Sequence, residues 1–191
     1  RRTLAFNVIN EQADAVLDCW VPTEFGDAQI AKALFGEFSP SGKLPVTVPR
    51  TIGQIPYHYS MKEISFFKDY LFLDSGPLYP FGYGLSYSTF TYSDPRLSSE
   101  VMERDGELKV SVDVTNTGKM TAKEVVQMYV KDLFGSVLRP DKELKGFEKI
   151  ELKPGETKTV EFTITPDMLV FTGVEMKAVL EAGDYEVMVG T

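Results

Sequence analysis

The sequence predicts a mainly β protein: an antiparallel β-sandwich, preceded by the end of an α/β layer and a connector rich in aromatics, proline and glycine. Three observations predict it. The 191 residues are 43% hydrophobic and 25% charged, a composition that folds in water. From residue 86 onward, short segments alternate apolar and polar residues with turn signals between them. Before that point, one strand-like run is followed by one helix-like run, half of a βαβ unit that cannot bury its own apolar surface.

The elements follow in chain order. Ala15-Val16-Leu17-Asp18-Cys19-Trp20 is a short, mostly apolar run ended by Pro22, which predicts a strand buried on both faces of a parallel sheet. Thr23 to Phe35 places Ile30 with Leu34 and Ala31 with Phe35 at i,i+4 spacing, and Gly36 stands where a helix end needs a left-handed residue. That predicts a helix of about three turns. Without a sheet of its own, this first region should expose Val16, Leu17, Ile30, Leu34 and Phe35. Between Phe38 and Tyr87, prolines and glycines interleave with Tyr57, Tyr59, Phe66, Phe67, Tyr70, Phe72, Tyr79, Phe81 and Tyr83. Proline removes backbone donors while aromatic rings supply buried area, which predicts an ordered connector packed on a surface.

In the last region, Leu108, Val110, Val112 and Val114 alternate with polar residues, and Thr115-Asn116-Thr117-Gly118 supplies a turn. Val125 to Val130, Lys145 to Leu152, Val160 to Ile164 and Tyr185 to Val189 read as further strands. Five to seven short strands in about 100 residues indicate a sandwich of immunoglobulin or fibronectin type III shape. The domains are therefore expected at 1–50 (end of an α/β sandwich), 51–85 (connector) and 86–191 (β-sandwich), the last folding alone.

Charge and composition narrow the function. Twenty basic and 28 acidic residues give a net charge of −8, with no basic cluster for a run of phosphates, so nucleic acid and membrane surfaces are not expected partners. Cys19 is the one cysteine and His58 the one histidine, which excludes an intrachain disulfide and a Cys/His metal site; no cofactor is expected. The first residues, Arg1-Arg2-Thr3-Leu4, do not lead into a signal-peptide core, and the chain does not begin with Met, so localisation is not readable from this end.

The candidate chemistry is thin. Glu148, Glu151, Glu161 and Glu186 fall at solvent-facing positions or turns and read as surface acids. His58, between Tyr57 and Tyr59, lacks an accompanying nucleophile motif and reads as a connector residue, and Cys19 as an inert buried thiol. Phe81-Gly82-Tyr83-Gly84 is not a phosphate loop, since no Lys-Ser/Thr pair follows; its glycines let the backbone turn between rings. Glu24 and Asp27 suit the positive end of a helix dipole and are the two candidates for the edge of a ligand pocket. No catalytic, cofactor or metal residue is assigned.

A family resemblance carries more. Leu34-Phe35-Gly36-Glu37-Phe38-Ser39-Pro40-Ser41-Gly42-Lys43-Leu44-Pro45-Val46-Thr47-Val48-Pro49-Arg50 closely resembles a stretch of glycoside hydrolase family 3, the β-glucosidase and β-xylosidase family. Ile52-Gly53-Gln54-Ile55-Pro56 and Pro77-Leu78-Tyr79-Pro80-Phe81-Gly82-Tyr83-Gly84-Leu85-Ser86-Tyr87 follow in the family's order. Arg139-Pro140, Lys142 to Phe147 and Leu152 to Glu156 resemble its C-terminal fibronectin type III-like domain. The resemblance implies a parent with an upstream (β/α)8 barrel and α/β sandwich as partners of this chain, and an oligosaccharide or aryl β-glycoside as substrate. It implies a retaining mechanism in which the nucleophile, an Asp of the barrel, and the acid/base, an earlier Glu, match no segment here. The chain alone is then expected to be inert. The resemblance also favours a periplasmic or secreted setting, and a homodimer is compatible with it.

One departure stands out. Where the family usually reads W-x-PG-x-EGG, this sequence reads Trp20-Val21-Pro22-Thr23-Glu24-Phe25-Gly26-Asp27. If that turn borders the sugar pocket, substrate preference differs from that of a typical β-glucosidase. Two rival readings stand beside the glycosidase: a carbohydrate- or protein-binding sandwich, and an oligomerisation or assembly domain. Of the sandwich aromatics Tyr129, Phe134, Phe147, Phe162, Phe171 and Tyr185, several sit at inward-facing parities, which argues against a sugar platform.

Overall fold

The computed structural model describes residues 5–62, 69–70 and 73–190. Arg1 to Leu4 and the connector aromatics Phe66, Phe67 and Phe72 lie outside the described residues. In chain order the elements are α1 (Asn7–Gln12), α2 (Gly26–Leu34), a single 3-10 turn (Ile52–Gln54), β1 (Asp69–Tyr70), β2 (Leu73–Asp74), β3 (Phe90–Tyr92), β4 (Arg96–Leu97), β5 (Leu108–Asn116), β6 (Ala122–Asp132), β7 (Glu143–Leu152), β8 (Thr157–Ile164), α3 (Pro166–Leu169), β9 (Phe171–Thr172), β10 (Ala178–Val179) and β11 (Tyr185–Gly190). Among the described residues, no helix is long and apolar enough to cross a membrane.

Two antiparallel sheets make the sandwich. In one, β5 pairs with β8 along Leu108–Thr115 and with β3 and β4. In the other, β6 lies between β11 and β7. The alternation in β5 has a direct result: Leu108, Val110, Val112, Val114 and Asn116 are all buried. Facing them, Val126, Met128 and Val130 of β6 and Ile150 and Leu152 of β7 complete the core with Val160 and Ile164 of β8. Residues of period two on both inner faces are what two stacked sheets require. The five long strands stand where alternation predicts them. The short β3, β4, β9 and β10 carry too few residues for a period to register.

The first region needs correction. Ala15 to Trp20 forms no strand: the run is irregular, and Val16, Leu17 and Trp20 are exposed. A strand buried on both faces exists only between hydrogen-bonded neighbours, and no described segment pairs with this one. Cys19 is accordingly half-buried rather than buried. Helix α2 starts at Gly26 rather than Thr23, because Thr23 to Phe25 are taken by a turn closed by Gly26 N donating to Thr23 O at 2.7 Å. Its end is as expected, with Gly36 at φ +74°. Leu34 and Phe35 are exposed and Ile30 half-buried.

The connector has little regular structure, yet it is tightly organised. Leu44 N donates to Tyr83 O and Gly82 N to Leu44 O, both at 2.8 Å; Val48 N donates to Tyr79 O and Leu78 N to Val48 O at the same distance. Backbone hydrogen bonds, with one isolated antiparallel bridge between Val48 and Tyr79, thus tie residues 44–48 and 78–83 into a strap built from the two segments that carry most of the family resemblance. Tyr79 stacks on Tyr83, and Tyr59 on Phe81.

Candidate functional site

Glu24 and Asp27 lie at the start of α2, both exposed. Asp27 occupies the first helical turn, where a carboxylate meets the positive end of the dipole; Glu24 sits in the preceding turn. A Cβ at Gly26 would stand 2.6 Å from Pro22 Cβ, so the close turn of Pro22 onto Gly26 requires glycine. Trp20 at φ +53° and Phe25, 75% exposed, flank this turn. With Val8, Ile9, Val16, Leu17, Leu34 and Phe35 also exposed, the first region presents apolar side chains to solvent.

A cleft of about 690 Å³ opens in the connector. Pro45, Thr47, Pro49, Tyr57, His58 and Phe81 are among the residues around it. His58 is exposed there, as a connector residue. Burial, then the negative charge of Asp74, raises the Tyr57 phenol.

Where the strap meets β6 the chain buries polar groups. Lys43 pairs with Glu124 at 2.9 Å with side chains 10% and 5% exposed. Gln127 Nε2 donates to Gly82 O at 3.0 Å, and Tyr129 OH donates to Gln127 Oε1 at 2.6 Å. Lys142 lies 5.0 Å from the centre of the Tyr129 ring. Burial first, then Tyr59, pushes the Tyr129 phenol up to about 12. A second network surrounds Arg139, which pairs with Glu143 at 2.7 Å and lies over the Phe171 ring at 4.2 Å. Its Nε faces Asp132 at 3.5 Å, an ion pair without hydrogen-bond geometry. Sequence reasoning missed Glu124 and Gln127 as buried groups and Arg139 as a half-buried one. The available signal was weak: Glu124 holds the parity of Val126 and Met128, where an acid is out of place.

Among the described residues, the shifted carboxylates all move down. Hydrogen bonds from Arg96, at 2.7 and 3.0 Å, and from Thr159 hold Asp113 at about 2. Backbone and side-chain donors lower Glu156 and Glu181. A general acid needs the opposite shift. Because Asp113 titrates lower folded than unfolded, its contribution to stability is present above about pH 4 and is lost as pH falls through about 2. The difference in thermal midpoint between the parent chain and Asp113→Asn should therefore shrink from neutral pH to pH 2. A difference that stays constant would show that the ion pair contributes nothing. Glu148, Glu151, Glu161 and Glu186 are exposed surface acids. Of the six sandwich aromatics, Tyr129 and Phe171 are buried, Phe162 and Tyr185 half-buried, and Phe134 and Phe147 exposed.

Comparison with known proteins agrees with both halves. Residues 1–87 match the glycosyl hydrolase family 3 C-terminal domain, and residues 124–191 a fibronectin type III-like domain. The chain is 67% identical over its whole length to a putative beta-xylosidase of Formosa agariphila, covering 25% of that protein. It is 49% identical over 99% of its length to a periplasmic beta-glucosidase of Salmonella typhimurium, covering 26% of that one. Among solved structures, a β-glucosidase from Erythrobacter marinus superposes with a TM-score of 0.94 at 42% identity, over 99% of this chain and 25% of that one. A β-glucosidase from Listeria innocua in complex with isofagomine gives 0.91 at 38%, over 100% and 28%. The chain spans about a quarter of the length of the curated relatives it matches. With the strap made from the family's own motif segments and the sandwich following it, the chain belongs to glycosyl hydrolase family 3 and carries its C-terminal domain and fibronectin type III-like domain.

Proposed function

We propose that this chain is the bracing C-terminal portion of a retaining β-glycosidase that removes terminal β-linked glucosyl or xylosyl residues. The observation that carries the reading is the strap: the two family motif segments pair with each other and dock on β6 through buried polar contacts. The high identity to proteins named beta-xylosidase and beta-glucosidase supports it.

In a retaining mechanism one carboxylate attacks the anomeric carbon, and a second, about 5 to 5.5 Å away, protonates the leaving oxygen and then activates water. The chain's own shifted carboxylates are lowered, not raised, which fits support rather than acid catalysis. On this reading the exposed apolar residues of the first region are the surface that meets the parent's remaining domains, and Glu24 and Asp27, which do not line the connector cleft, would border the parent's sugar pocket. The net charge of −8 fits a partner that is neither nucleic acid nor an anionic membrane.

The expected result is that this chain, shown by intact mass to be free of longer enzyme, releases no nitrophenol from aryl β-glucosides or β-xylosides, whereas the full-length enzyme carrying it does. Turnover by the chain itself, or none by the full-length enzyme, overturns the reading. A glycan-binding sandwich is the second reading, favoured by the exposed rings of Phe134 and Phe147, and saturable binding of cello- or xylo-oligosaccharides that Phe147→Ala abolishes would establish it. Sedimentation of the full-length enzyme tests the homodimer.

A further inference from the structure

The buried pair between Lys43 and Glu124 has no role in the chemistry proposed above, and each partner makes one further hydrogen bond. Taking two charges out of water is costly unless the remaining polar atoms find partners. Here Lys43 Nζ also donates to Gly84 O at 2.8 Å, and Glu124 Oε1 accepts from Val125 N at 2.9 Å. The strap continues from this point toward α2. Ser39 Oγ and Ser86 Oγ lie 2.6 Å apart, Tyr87 N donates to Ser39 Oγ at 2.9 Å, and Tyr87 OH donates to Ala33 O, near the end of α2, at 3.0 Å. Contacts therefore run from β6 through the Lys43–Glu124 ion pair to Gly84 and, a few residues along the same two segments, from Ser39 and Ser86 through Tyr87 to the helix whose first turn carries Asp27.

We infer that Lys43 and Glu124 are positioning residues, whose pair fixes the strap, and through Tyr87 helix α2, in one orientation on the sandwich. Apolar contact alone is non-directional and tolerates sliding; a charge pair buried with its hydrogen bonds has one register. The strap is then a unit docked on the sandwich by this pair, able to open from it while β5 stays folded. Without the strap, Glu124 would be left a desolvated carboxylate without its cation.

Hydrogen exchange on the 191-residue chain tests this with Lys43→Met, Glu124→Met and the double variant. Each single change should speed exchange at the Leu44, Val48 and Gly82 amides by at least about tenfold while the amides of β5 keep their protection. The double variant leaves no buried charge unpaired, so its thermal midpoint should return toward the parent's. Its strap amides should nevertheless stay fast, because the directional contact is gone. Three outcomes overturn the inference: unchanged strap exchange, loss of protection in step with β5, or a double variant whose strap is as protected as the parent's. Should the single variants fail to fold, the double variant alone decides between these outcomes.

A second arm, which rests on the glycosidase reading, measures the full-length enzyme on an aryl β-glycoside. The double variant should lose kcat/KM about tenfold or more at an unchanged thermal midpoint. Unchanged kcat/KM there would confine the pair to a structural role. A parent enzyme without activity would defeat the glycosidase reading and leave the exchange result standing.

Discussion

Asn116→Ala should destabilise the sandwich by about 4 kcal/mol, one of the largest effects of any single polar substitution in it. Asn116 is fully buried at the last position of β5. Its Oδ1 accepts from Ser88 Oγ at 2.7 Å and from Gly118 N at 3.0 Å, and its Nδ2 donates to Met120 O and Leu152 O, both at 2.9 Å. One amide therefore ties β5 to β7, to the turn before β6 and to the segment before β3. Alanine would take this donor from the Leu152 carbonyl and this acceptor from Gly118 N, at about 1–3 kcal/mol for each buried group left without a partner. Ser88 keeps Met120 O as a second partner at 3.2 Å, which limits the loss on that side. Urea unfolding should show a lower midpoint with the slope unchanged. Asn116→Asp keeps the acceptors but loses both donors and buries a charge, so it should be no better. A cost under about 1 kcal/mol for alanine would mean that solvent reaches the site and replaces the amide.

Gly82→Ala should cost about 3 kcal/mol, and two separate effects add to that figure. At φ +82° an L residue is strained by about 1–2 kcal/mol. The new methyl would also stand 2.3 Å from Gln127 Oε1 and 2.7 Å from Tyr129 OH. Those atoms cannot easily retreat, because they are hydrogen-bonded to each other and Gln127 also holds the Gly82 carbonyl. The double variant Gly82→Ala/Gln127→Ala separates the two effects by double-mutant cycle. Recovery of part of the loss relative to the sum of single changes assigns it to the clash. Simple additivity would assign the whole cost to backbone strain and would argue against close docking of the strap on β6.

The long strands were legible because an antiparallel sandwich buries one face of each strand, which writes a period of two directly into Leu108 to Val114, Val160 to Ile164 and their partners. The end of α2 was legible because Gly36 sits at a backbone angle that other residues avoid. Asn116 was legible only as a turn residue. That it closes β5 and joins three segments depends on partners 28 and 36 positions away in sequence, which no local pattern reports. The run Ala15 to Trp20 misled for the converse reason: its apolar pattern specifies a strand only if other strands supply hydrogen bonds on both sides, and no described segment does.

By itself, then, the sequence determined the two textures, the five principal strands, the helix before the strap and the family, because each is written in local period, turn chemistry or contiguous motif. The tertiary structure alone decided that the strap's two motif segments pair with each other, that Glu124 is buried against Lys43, and that Gln127 and Tyr129 are covered by the loop at Gly82. Charge burial depends on what arrives from elsewhere in the chain to pay the desolvation cost, and for Glu124 that partner lies 81 residues earlier.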